Sequence, residues 1–197
     1  MRKLHAYIVF FILMAPLCAL ATQVVPPTLV ELSKGADVVF YGKCTSARET
    51  TRTMHDRDIS AVEYDFDVTT PIKGVTISTF RFLQFAGPVG MTPSDAQAKM
   101  GIPSYKVGEE YLLFLTGESR SGFRSPLGLT AGAFRVYANS IGEKSVMNGF
   151  GNRWLTTPSP MLRQTPANAR LTKSIMDDSA TFELENFIDT IDHLKDE

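Results

Sequence analysis

The chain has 197 residues, with 20 Lys and Arg against 21 Asp and Glu, and 44% of it is apolar. That even balance excludes the electrostatic footprint of a nucleic-acid binder and the polybasic patch of a lipid-headgroup binder. The length suits a single domain of ordinary size with short ends.

The chain opens with Arg2 and Lys3, followed by an apolar run over residues 6–20 that Pro16 interrupts. Ala19-Leu20-Ala21 then places small residues where a signal peptidase reads. The pattern predicts a cleavable signal peptide over residues 1–21 and an exported chain, periplasmic or secreted. An anchor would need about 20 apolar residues, and Pro16 and Thr22 cut this stretch short. Leu17 is too large for the position before a lipidated cysteine, so Cys18 belongs to the discarded segment. No stable membrane anchor is expected after cleavage. Loss of Arg2 and Lys3 takes the basic residues from 20 to 18 against 21 acidic ones, a net charge of −3. Cys44 is then the only cysteine, so no intrachain disulfide can form and packing must hold the domain. Cys44 shares strand parity with Phe40 and is expected to face the core.

The mature chain begins with a short helix. Thr28-Leu29-Val30-Glu31 fits a capping box, and Gly35 is a natural stop. A β-branched and aromatic strand follows over 38–44. Residues 49–58 are polar and charged and read as a long loop. Val62, Tyr64, Phe66 and Val68 then alternate with Glu63, Asp65 and Asp67, a period of two with one face buried. A third strand is predicted over 75–85. Residues 93–100 suit a short helix with Ser94 as its cap. Tyr111 to Leu115 is a continuous apolar run, a strand buried on both faces. Residues 117–128 form a Gly-rich loop, 131–138 a fifth strand, and 146–150 a short last strand. Residues 155–180, rich in Pro, Thr, Ser and Asn, read as a linker. Leu184, Phe187, Ile188 and Ile191 then follow helical spacing, which predicts an amphipathic helix over 181–197 that docks on the domain of residues 22–154.

This order is mainly β with flanking helices: five principal strands with a helix between the third and fourth. It matches a five-stranded OB-type barrel, a small, partly open Greek-key fold. A β-sandwich is the alternative, and it would need a sixth and seventh strand. Ala36-Asp37-Val38-Val39-Phe40-Tyr41-Gly42-Lys43, Tyr64-Asp65-Phe66-Asp67-Val68, Ile72-Lys73-Gly74 and the stretch from Val107 to Leu115 together resemble the netrin-like pattern. The resemblance spans residues 28–138. That group includes the tissue inhibitors of metalloproteinases, and secreted bacterial proteins share a similar layout. The resemblance implies an OB-type fold and, as one partner, an exported protease. The inhibitors grip the catalytic zinc through an amino-terminal cysteine. The expected mature end here is Thr22-Gln23-Val24-Val25, so no inhibitory residue carries over.

Chemistry-bearing groups are sparse. His55 sits in the polar stretch beside Asp56 and Asp58, without the second His or Cys a metal ligand set needs. His193 falls on the wet side of the terminal helix. Gly117-Glu118-Ser119-Arg120-Ser121 lacks the last glycine of a nucleophile elbow and reads as a turn. A Cys44–His55 pair would rest on a core-facing thiol, a poor nucleophile. No Gly-rich loop leads to a Lys-Ser/Thr pair. Glu63, Asp65 and Asp67 form an acidic stripe, expected to be solvated rather than to hold calcium or do acid–base work.

The apolar stretch 85–91 reads as a loop, and Phe85, Pro88, Val89 and Met91 are its candidate partner-binding residues. The sequence therefore points to an exported binding module with no catalytic residues, no metal and no cofactor, acting on a protein partner. An envelope enzyme using the acidic residues is one alternative. An envelope scaffold or assembly accessory is another.

Overall fold

The computed structural model describes residues 26–155 and 181–195. The expected signal segment and residues 156–180 of the expected linker lie outside the described residues.

Helix α1 spans Leu29–Gly35. It begins where the capping box places it: the Glu31 amide donates to Thr28 Oγ1 at 3.3 Å, and the Thr28 amide donates to Glu31 Oε2 at 2.8 Å. Strands β1 (Val38–Met54) and β2 (Arg57–Lys73) follow as one long antiparallel hairpin. Here the expectation of a loop over 49–58 is corrected. Thr50, Thr51 and Thr53 are β-branched and suit extended backbone. Both faces of this stretch of β1 are wet, so it carries no hydrophobic alternation to read. Pairing with β2, itself held by β3 (Thr79–Pro88), supplies the order.

Helix α2 spans Pro93–Met100. Its cap is Thr92 rather than Ser94, since Thr92 Oγ1 accepts the Asp95 amide at 3.1 Å. Then come β4 (Glu110–Leu115), one 3₁₀ turn (Leu129–Ala131), β5 (Ala133–Ala138), β6 (Lys144–Asn148), β7 (Phe182–Glu183) and helix α3 (Leu184–Leu194).

The seven strands form a single open antiparallel sheet in the order β3-β2-β1-β4-β5-β6-β7. The count of five principal strands is therefore too low, and among the described residues there is no second sheet to make a sandwich. The seventh strand is only two residues long and pairs Phe182 with Val146. Its strand character comes from that partner, and two residues carry no period of their own.

Each face of the sheet buries a core. Val39, Tyr41, Leu112, Phe114 and Phe134 point toward the helices and pack with Leu29 and Leu32 of α1 and with Phe187, Ile191 and Leu194 of α3. Phe187 meets Phe134 at 5.0 Å between ring centroids and stacks on Phe182 at 5.4 Å. The apolar side of the helix is thus packed into this core. Its last turn is tied down by Lys195 Nζ, which donates to the Ile72 carbonyl at 3.2 Å.

The opposite face buries Val38, Phe40, Cys44, Tyr64, Phe66, Phe82, Tyr105, Tyr111 and Leu113. This second core is dominated by rings in edge-to-face contact, such as Tyr105 with Tyr111 at 5.1 Å and Phe66 with Tyr105 at 5.5 Å. Strand β1 is the shared wall, with alternate residues entering opposite cores. It also bends: its register against β2 shifts at Val39/Phe40, Tyr41/Gly42 and Cys44/Ser46. Gly42 sits at the middle shift because a Cβ there would lie 2.5 Å from the Asp67 carbonyl oxygen.

Candidate functional site

The hairpin turns at His55 and Asp56, whose φ values of 47° and 59° are both left-handed. Two left-handed residues between paired Met54 and Arg57 make a two-residue turn of the I′ kind, whose twist matches the strands. Neither residue is the glycine that such a turn favours. Just below the turn, Thr53 Oγ1 donates to Asp58 Oδ1 at 2.6 Å and clamps the two strands.

Strand β3 reaches this end of the molecule because it continues to Pro88, with Ile59 paired to Pro88 and Ala61 to Phe85. Phe85 to Pro88 are therefore strand, not the expected loop. The ladder with β2 holds their backbone extended, and only residues 89–90 turn. The loop after β4 then carries Phe123 onto β3. Ser119 makes that loop compact: Phe123 N donates to Ser119 Oγ at 3.0 Å, and Ser119 N donates to the Phe123 carbonyl at 2.8 Å. Arg124 N donates to the Leu83 carbonyl at 2.9 Å and fixes the loop to the sheet edge. Ser119 is thus a turn residue, and its role is to position Phe123.

Phe85 and Phe123 meet edge to face, 6.5 Å apart at 87°. With Met54, His55, Arg57 and Ile59 they line a solvent-open groove of about 590 Å³. The four candidate residues of the apolar stretch do not form one patch. Phe85 lines the groove, while Pro88 and Val89 are exposed at the adjoining turn. Met91 folds to the opposite face, where its sulfur lies against Gly87 and it lines a smaller hollow with Ala86 and Pro93. The sequence reading missed Phe123. The only signal for it was an aromatic residue directly after Gly122 in a loop otherwise rich in Gly and Ser.

Farther down the same face lies the acidic stripe. Glu63 and Asp65 are not simply solvated: Arg48 Nη2 reaches Glu63 at 2.5 Å and Asp65 at 3.0 Å, and Arg81 Nε reaches Asp65 at 2.5 Å. Asp65 is only 8% exposed, covered by guanidinium groups from both neighbouring strands. The hydrogen bond from Arg81 and the charges of Arg81 and Arg48 hold its carboxyl below the usual range. A carboxylate so paired stays ionised and is a poor proton donor. Asp67 is exposed. Among the described residues no three His, Cys, Asp or Glu side chains converge as a metal site.

Cys44 is fully buried, and burial pushes its thiol up to about 11, far from the range of a nucleophile. His55 is at the hairpin tip and lines the groove, so the two residues serve different parts of the molecule. His193 is exposed on α3. Tyr41, Glu110 and Lys144 form a tight polar triad: Tyr41 Oη lies 2.8 Å from Glu110, and Lys144 Nζ lies 2.7 Å from each of them. Burial raises the Tyr41 hydroxyl, so it stays protonated and the triad ties β1, β4 and β6 together.

A second hollow of about 330 Å³ lies beside β5, between Tyr105, Lys106, Arg135 and Tyr137. Its carboxylate, Glu109, is held by Arg135 at 2.6 Å and by the Tyr111 hydroxyl at 2.8 Å. Among the described residues no helix is long and apolar enough to cross a membrane. No protein-family model matches the chain, and no curated protein matches it significantly.

Proposed function

We propose that this chain is an exported binding module without catalysis of its own, and that it contacts a protein partner through the groove at the hairpin tip. The observation that carries this reading is the groove's apolar lining. Met54, Ile59, Phe85 and Phe123 line it open to solvent, whereas Phe40, Phe66, Phe114 and Phe134 are fully buried in the covered cores. An aromatic pair held at the surface by a strand and by a pinned loop is pre-organised, so binding orders little that is not already ordered. Export rests on the sequence pattern of residues 1–21. An exported protease is a candidate partner by resemblance alone.

We also read the sheet as a partly open OB-type barrel of the netrin-like kind. Phe123 bridges Leu83 in parallel, and Pro126 bridges Leu115 antiparallel. The 123–126 stretch therefore runs between β3 and β4, where a closing strand would lie, and α2 falls between those strands in sequence. The enzyme alternative draws less support, since Glu63 and Asp65 are taken up by arginines.

The test is affinity capture from an envelope extract with the mature chain and with a Phe85→Ala, Phe123→Ala variant. The expected result is a defined protein retained by the first and lost with the second, while both give the same circular dichroism. Equal capture by both would remove the groove from the reading. Amino-terminal sequencing of the exported protein should begin at Thr22.

A further inference from the structure

Resting on the reading of the groove as a partner site, we propose that its occupant is an extended protein segment in which a bulky apolar side chain is flanked by acidic residues. The argument is one of charge on an apolar surface. Arg57 and His55 line the groove, and Arg52 lies directly across from Ile59 on the same face of the hairpin. The side chains of Arg52 and Arg57 have no hydrogen-bond or ion-pair partner among the described residues. Of the carboxylates sharing that face, Glu63 and Asp65 are bound by Arg48 and Arg81, and the exposed Asp67 lies eight residues along β2 from Ile59. Asp58 faces the other way, bonded to Thr53. Asp56 is at the turn itself and does not line the groove.

The apolar floor is therefore rimmed by Arg52 and Arg57, and no carboxylate lines the groove to pair with them. Such a surface attracts carboxylates over the length of a few residues and repels lysine-flanked sequences. The apolar contact supplies the holding interaction, and the rim supplies selectivity. The groove opens broadly to solvent, with no enclosed tunnel to surround an alkyl tail. A small anion would leave Phe85 and Phe123 uncovered. A polypeptide side chain with acidic neighbours satisfies both the floor and the rim.

The experiment uses the mature chain, ¹⁵N- and ¹³C-labelled, and two capped hexapeptides. Each carries a central Leu-Phe pair, flanked by two acidic residues on either side in one peptide and by two lysines in the other. The acidic peptide should bind about tenfold or more tightly at about 20 mM salt, with the preference shrinking as salt rises. It should shift the resonances of His55, Phe85 and Phe123. An Arg52→Glu, Arg57→Glu variant should reverse the preference, and Phe123→Ala should weaken both peptides alike. Equal affinity for the two peptides, or tighter binding of the lysine peptide, would overturn the acidic chemistry and leave the binding-module reading standing. Binding of neither peptide would overturn both.

Discussion

The helix-covered part of the sheet and its hairpin end use the same strands and differ in what lies over them. Around Phe114 and Phe134, one face is sealed by two helices and the other by rings. At the hairpin end, β1 has lost β4 as a neighbour: their pairing stops at Lys43 and Glu110, and β1 continues for eleven more residues to Met54. There the aromatic side chains face water, and the turn is made by two left-handed residues that are not glycine. The contrast separates two duties. The covered end buries its apolar side chains in two cores, and the open end leaves Met54, Ile59, Phe85 and Phe123 lining a groove open to solvent.

The largest test of that division compares two phenylalanines. Phe187→Ala removes a fully buried ring that bridges Phe134 and Phe182, and should cost about 3–5 kcal/mol in urea unfolding. Phe85→Ala trims a half-exposed ring and should cost about 1 kcal/mol or less. Similar losses at both sites would break the comparison.

A second test uses pH. Burial raises the Cys44 thiol in the folded chain to about 11 from an ordinary value of 9.0. The folded chain therefore holds this proton when the unfolded chain has released it, so stability is intact below about pH 9 and falls as pH rises toward 11. A rise of that size corresponds to a loss of about 2–3 kcal/mol. Cys44→Ala should flatten the part of this slope that the thiol supplies, and alkylation of Cys44 should require unfolding. At the hairpin end no comparable buried acid exists among the described residues, so groove variants should leave the slope unchanged.

The smallest expected effect has the opposite sign. Asp56→Gly relieves a left-handed residue in a turn that favours glycine, and should stabilise the chain by about 0.5–1 kcal/mol in thermal unfolding. A loss of stability would show that Asp56 is held by something other than turn geometry.

Much of the covered end was legible in the sequence. The capping box of Thr28 and Glu31, the alternation from Val62 to Val68, the apolar run of β4 and the helical spacing around Phe187 each advertise a buried face. The open end was not legible, for a physical reason. Residues 49–54 and 57–58 form strand because a neighbour pairs with them, and their side chains are wet on both faces, so burial leaves no pattern. The acidic stripe was read from one strand alone. Its meaning depends on Arg48 and Arg81, which arrive from the two neighbouring strands. Phe123 enters the groove only because a turn around Ser119 returns the loop to β3.

The order in which the chain is made bears on the first core. Leu29 and Leu32, near the start of the described chain, share that core with Phe187, Ile191 and Leu194, at its far end. The β1–β2 hairpin can form from near neighbours early, whereas the helix-covered wall depends on contacts between the two ends of the domain. Until α3 arrives, Val39, Leu112, Phe114 and Phe134 lack half their covering, so the sheet stays loosely held and prone to stick to other surfaces. The last helix therefore sets the moment at which the domain becomes fully stable.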